Sequence, residues 1–174
     1  MTSIDAGVAL LRVCLGLTMA AHGYGKLFRG GRIPGTARWF DSIGMRPGTV
    51  QAWLAAGTEV GAGILFALGL LTPFAAAAFV SLMAVAAWTV HRAHGFFIAA
   101  NGWEYNFILA IGAVSVAVGG AGRISLDRAL FGQNIFDGWA GLVISVVLGL
   151  AAAAALLGAC YRPVREPDIA NQPT

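Results

Sequence analysis

Five apolar runs follow one another along this chain with short joints between them. They cover about residues 6–27, 50–71, 74–92, 105–120 and 138–161, and a spanning helix needs about 20 mostly apolar residues. The run 105–120 is short for a span. Backbone in hydrocarbon must satisfy its hydrogen bonds internally, and a helix does so within one segment. The chain therefore reads as an all-α integral membrane bundle in a single domain, residues 1–161. A soluble globule is excluded on supply of polar surface. Only 11% of the residues are charged and 58% are hydrophobic, against about a quarter charged in ordinary soluble domains.

The polar joints fill in the rest of the layout. Residues 28–49 are too polar to span. Within them Trp39, Phe40 and Ile43 would share one side of a short interfacial helix over residues 36–43, or the stretch is an ordered loop. Pro34-Gly35 and Pro47-Gly48 read as turns. The tail, residues 162–174, is polar and proline-punctuated, the composition of a disordered segment. The start, MTSID, has no basic region and runs into an apolar stretch that contains Arg12, so a cleavable signal is not expected.

The net charge of +3 is spread unevenly. Lys26, Arg29, Arg32, Arg38, Arg46, Arg92, Arg162 and Arg165 fall on one side of a five-span layout. Arg123 and Arg128 fall on the other, with Arg12 just inside the membrane. The positive-inside bias then puts the N-terminus outside and the C-terminus in the cytoplasm. No basic run interleaves with aromatics as a nucleic-acid surface would. Cys14 and Cys160 have no metal-ligand spacing and lie toward opposite ends of the bilayer, which argues against a disulfide. His91 and His94 are three residues apart without companion ligands, so no metal or haem site is expected. No glycine-rich nucleotide loop precedes a helix.

The chemistry gathers around Glu59, a carboxylate near the middle of the run 50–71. A charge at that depth is costly unless it meets a partner or a function. From the rise of a helix, Glu59 lies about 13 Å and His22 about 8 Å from the loop-rich end. Lys26 is close to His22, His91 and Glu104 stand at that end, and Asn106 lies just inside it. Arg12 approaches from the far side, with a height difference of about 10 Å that two extended side chains nearly span. On a helical wheel Lys26 is about 40° from His22 and Arg12 about 80° to the other side, so the three share a face. An ion pair between Arg12 and Glu59 is predicted. Glu59 and His22 are the candidates for proton handling, and Lys26, His91, Glu104 and Asn106 would complete a half-membrane pocket.

Structural readings stand beside this one. The Arg12–Glu59 pair would serve only to fix helix register. His22 and Lys26 would snorkel to the interface. Asn101 and Glu104 have the spacing of a helix cap. Gly57 and Gly61 form a small-xxx-small pair about 180° around the helix from Glu59. The helix carrying Glu59 is therefore expected to be the central one, packed along its glycine face and presenting its carboxylate on the other.

Four stretches together, LLRVCLGLTMAAHGYGKLF, GTEVGAGILFALGLLTPFAA, NGWEYNFILAIGA and GGAGRISLDRAL, resemble the DoxX family of small bacterial membrane proteins. The family is related to the DoxD-type subunit of thiosulfate:quinone oxidoreductase. The resemblance covers about residues 7–130. It implies a four-helix core, with the run 138–161 a fifth, C-terminal span outside it. The positions that match the family's polar pattern are Arg12, Lys26, Glu59, Asn101, Glu104 and Asp127, and no catalytic role is carried onto them. The resemblance implies a membrane component of a redox system. Some relatives are linked to thiosulfate oxidation with quinone as acceptor, others to a detoxifying assembly with superoxide dismutase and a sulfurtransferase.

The function expected from all this is a membrane-embedded, redox-linked subunit that binds a quinone in the pocket of His22, Lys26, Glu59, His91 and Glu104. Electrons would come from a small sulfur compound, a soluble redox enzyme or a second membrane subunit. One alternative is a non-catalytic membrane anchor for soluble redox enzymes. A small proton-coupled carrier is the other, weakened by the lack of an inverted repeat. A homo-oligomer is compatible with either.

Overall fold

The computed structural model describes residues 2–134 and 136–163. Of the polar tail expected to be disordered, residues 162–174, Arg162 and Pro163 are described and the Arg162 N–H donates to the Gly44 carbonyl; residues 164–174 lie outside the described residues. Among the described residues the chain is helical and no strand forms; a single antiparallel bridge joins Met45 to Tyr161.

Helix α1, Ser3–Phe28, starts at a reciprocal cap. The Thr2 hydroxyl accepts from the Asp5 N–H, and the Asp5 carboxylate accepts from the Thr2 N–H at 2.8 Å. Helix α2, Arg32–Ser42, lies in the loop that follows. It settles the open choice there in favour of a helix, which begins earlier than expected. Pro34 and Gly35 sit in its first turns rather than in a turn of their own, where proline costs no helical hydrogen bond. Helix α3, Gly48–Leu68, ends on Gly69 in the left-handed region at φ +66°. Helix α4, Thr72–His94, begins with Pro73 in its first turn and finishes in a π-turn over Ala87–His91 and a 3₁₀ turn over Arg92–His94. Helix α5, Glu104–Gly119, is the short apolar one, and α6, Leu126–Phe131, is a single short turn of helix. Helix α7, Gly138–Cys160, contains a second π-turn over Ile144–Leu148. By length and apolar composition α1, α3, α4 and α7 are four candidate spans.

The bundle is built in pairs. Helices α1 and α3 run antiparallel and nearly touch. A Cβ on Gly16 would stand 2.5 Å from the Gly63 carbonyl, and one on Gly63 would stand 2.6 Å from the Gly16 carbonyl. Helix α4 packs against α3, α5 and α7. Helix α3, which carries Glu59, packs against α1, α2 and α4. One core joins α1, α3, α4 and α5 through Met19, Phe66, Phe79, Met83, Leu109 and Val116. A second, at the α2 end, joins α2, α3, α4 and α7 through Ile33, Phe40, Met45, Ala56, Val85 and Ala153. Gly57 and Gly61 take no part in either. Both are exposed and have nothing within 4 Å of a Cβ built on them. The packing glycines of α3 and α1 are Gly63, Gly16 and Gly23, and Glu59 is on the buried side of α3, not opposite it.

Each end of the bundle is tied. At the α2 end the Arg46 N–H donates to the Cys160 carbonyl at 2.9 Å and the Arg162 N–H to the Gly44 carbonyl at 2.7 Å. At the other end Asp127 is 1% exposed and accepts from the Leu71 N–H at 2.8 Å, the Thr72 N–H at 3.1 Å and the Thr72 hydroxyl at 2.8 Å. That carboxylate closes the α3–α4 turn and fixes α6 beneath it.

Candidate functional site

Glu59 finds its partner on α1, and the partner is Lys26. The Lys26 Nζ lies 2.6 Å from both carboxylate oxygens. The approach depends on Gly23, one turn before Lys26. A Cβ there would come within 2.9 Å of the Glu59 Cβ and 2.8 Å of the Ala56 carbonyl. The bare backbone lets α3 lie against α1, so the carboxylate passes across it to the ammonium. The Lys26 side chain is 23% exposed and that of Glu59 is 10% exposed.

The predicted Arg12–Glu59 pair is not formed. The Arg12 guanidinium reaches over Gly69, ten residues past Glu59 on α3 and about 15 Å along its axis. It donates from Nη1 to the Ala121 carbonyl at 2.8 Å and from Nη2 to the Ile124 carbonyl. The antiparallel register of α1 and α3 sets this. Positions early in α1 meet the end of α3, and Lys26, near the end of α1, meets its middle.

The ion pair forms part of the wall of a cavity of about 470 Å³. This lies within the range of small-molecule sites, about 300–1,000 Å³. Helix α4 is the floor, lining it from Phe74 to Val90. Helix α3 supplies one wall through Gln51, Leu54, Ala55, Thr58 and Glu59, and α7 the other through Leu148, Ala152 and Leu156. Trp39 and Phe40 of α2, with Met45, close the end toward the loops. Both π-turns border the space, through Thr89 and Val90 in one and Leu148 in the other. Such turns occur often at functional sites. The rim faces outward: Leu54, Phe74 and Leu148 are 47%, 41% and 49% exposed. These side chains face away from the bundle on helices long and apolar enough to span a membrane.

Of the residues grouped by sequence, only Lys26 and Glu59 line this cavity. His22 is exposed on α1, its ring 6.2 Å from that of Tyr105 on α5. The His91 Nδ1 pairs with the Asn101 carbonyl at 2.7 Å. The Glu104 carboxylate accepts from the Ile98 N–H at 2.9 Å, so it holds the 95–104 loop together. Asn106 is buried under α4, its Nδ2 3.6 Å from the Met83 sulfur. Sequence reasoning missed Gln51, Thr58, Ser81, Thr89 and Trp39. A signal for two of them was present on α3. Thr58 lies about 20° and Glu59 about 80° around the helix from Gln51, a polar stripe in an apolar run. Among the described residues no group of three or more His, Cys, Asp and Glu side chains stands close enough to hold a metal, and Cys14 and Cys160 are free.

Residues 7–92 match the family model DoxX. Over that segment the chain belongs to the DoxX family. An uncharacterized protein of Haemophilus influenzae is 30% identical over 100 residues, which is 53% of this chain and 66% of that relative. The match thus spans just under two thirds of the relative's length. No solved structure matches the chain. The DoxX segment holds most of α1, all of α2 and α3 and nearly all of α4, and so carries Lys26, Gln51, Glu59 and the cavity floor. The α7 wall lies outside it.

Proposed function

We propose that this DoxX chain is a membrane subunit of a redox system and that the cavity between α3, α4 and α7 holds a quinone-type ligand. One observation carries the reading: an ion pair, Lys26–Glu59, is set into the wall of an elongated and mostly apolar cavity whose rim is exposed on the outside of candidate membrane spans. The residues fit such a group. Apolar side chains along α4 and α7 suit a hydrocarbon tail, and the polar stripe of α3 suits an oxygen-bearing head. A bound quinone supplies the joint uptake of electrons and protons. The chain's own part is to bind, orient and exchange protons. The Lys26 Nζ donates a hydrogen bond and the Glu59 carboxylate accepts a proton. Because the two are paired, a proton moves within the pair without leaving a lone charge in lipid. Electrons would come from a partner, a soluble thiol or oxidative-stress enzyme or a second membrane subunit. The positive-inside bias turns the α2 end to the cytoplasm.

The test is protein purified from its membranes and examined by extraction and mass for a bound quinone. The expected result is stoichiometric quinone in the natural sequence and its loss in Glu59→Gln. Quinone absent from the natural protein, or retained equally in the variant, rejects the reading. The competing reading is a non-catalytic anchor. It draws on Arg29, Arg32 and Arg38, which are exposed at the α2 end and carry no salt bridge among the described residues. It predicts that charge reversal of these three releases an acidic soluble enzyme from membranes while Glu59→Gln does not.

A further inference from the structure

We propose that Gln51 is the second polar contact of the ligand in this cavity, and that the ligand's head group is uncharged. The inference rests on the reading above that the cavity holds a lipid-soluble molecule. Gln51 is 3% exposed, and its side chain forms no hydrogen bond with another described residue; its amide is not sealed in protein, so what it meets is the open space of the cavity. Buried polar side chains are nearly always partnered, and one that is not calls for a ligand, a water or a functional role. Gln51 lines the cavity. It lies two turns before Glu59 on the same helix, a rise of about 12 Å that the two side chains shorten from either end. Thr58 stands on the same stripe and also borders the space.

The charge of the head group follows from the lining. The charged side chains there are Lys26 and Glu59, and they are engaged with each other at 2.6 Å. Gln51, Thr58, Ser81 and Thr89 are neutral, and the Thr89 hydroxyl is taken up by the Val85 carbonyl at 2.8 Å. An anionic head entering this space would lose its water and find no cation that is not already paired, which is costly. A neutral head with oxygens on two edges meets a hydrogen-bonding group at each. The carboxamide donates to a carbonyl and accepts from a hydroxyl, so it serves both the oxidised and the reduced form of such a ring.

The experiment uses the full chain in phosphatidylcholine nanodiscs, titrated with a short-chain benzoquinone analogue. Binding is read as saturable quenching of tryptophan fluorescence, with Trp39→Phe identifying the share from the cavity wall. Gln51→Met keeps the length of the side chain and removes its amide. It is expected to weaken binding about tenfold, the loss of one buried hydrogen bond. Added phosphatidylglycerol is expected to leave the affinity unchanged. No saturable quenching in the natural sequence removes the quinone reading itself. Saturable binding that is equal in Gln51→Met overturns the role of Gln51 and leaves that reading standing, and Gln51→Ala decides the same point should Gln51→Met fail to insert. Displacement of the analogue by phosphatidylglycerol overturns the neutral head group.

Discussion

At the scale of single residues, the stability effect of the Lys26–Glu59 pair is separable from the chemical role proposed for it. Replacing Glu59 with Gln leaves an ammonium without its counter-charge. Breaking a fully buried pair costs about 3–5 kcal/mol. Lys26 is near the end of α1 and 23% exposed, so its stem lets the head rise to the interface. Glu59→Gln is therefore expected to destabilise by about 1–3 kcal/mol, read as a lower Tm in detergent. The double change Lys26→Met with Glu59→Leu is expected to restore most of that Tm and still abolish quinone retention. Recovery of both would show the pair to be only structural. At the other end, Asp127→Asn retains one acceptor oxygen for three donors and is expected to cost about 1–3 kcal/mol by the same assay. The two ends also differ in what sequence alone discloses. A carboxylate in an apolar run announces a partner, and helical spacing put Lys26 at a suitable depth. Arg12 looked equally suitable. Its actual acceptors are the carbonyls of Ala121 and Ile124, in a loop whose path no side-chain pattern reveals.

At the scale of helices, the apolar helices were legible because hydropathy and length decide them. The expected runs 6–27, 105–120 and 138–161 became Ser3–Phe28, Glu104–Gly119 and Gly138–Cys160. Which face of each helix packs was less legible, and α3 shows why. Small residues occur on both of its sides, Gly57 and Gly61 on one and Ala52, Ala56 and Gly63 on the other. A small-xxx-small spacing then fits either face, and only contact with α1 chooses between them. The choice is testable. Gly16→Val and Gly63→Val place side chains where backbone of the neighbouring helix already stands, at 2.5 and 2.6 Å from a carbonyl oxygen. Each is expected to cost at least about 1–3 kcal/mol, the usual range for overpacking, or to prevent assembly. Gly57→Ala and Gly61→Ala meet open space and are expected to keep or slightly raise Tm, since alanine is the better helix former. Equal damage from the two pairs of substitutions would show that α3 is turned the other way.

For the molecule as a whole, α7 walls the cavity by packing along α4, where Gly149 meets Ala77 and Val80, and a tie at its far end adds to that contact. The tie is short. Met45 bridges to Tyr161, flanked by the Arg46–Cys160 and Gly44–Arg162 hydrogen bonds, and it joins the α2–α3 loop to the end of the last helix. These partners lie far apart in sequence and α7 lies outside the family segment, so neither local pattern nor family resemblance disclosed the second wall. The pocket read from sequence grouped Glu59 with His22, His91 and Glu104, none of which lines this cavity. Gly44 is the weak point of the tie. It adopts φ +87°, and a Cβ there would collide with the Arg162 carbonyl. Gly44→Val is therefore expected to part the loop from α7 while leaving the α1–α3 seam intact. Hydrogen exchange should show faster exchange of the Arg46 and Arg162 amides, with the amides of α1 and α3 unchanged. If α7 forms the ligand's second wall, the same variant should also lose affinity for the benzoquinone analogue several-fold with Lys26 and Glu59 untouched. Faster exchange at the tie with undiminished affinity would mean that α3 and α4 hold the ligand by themselves.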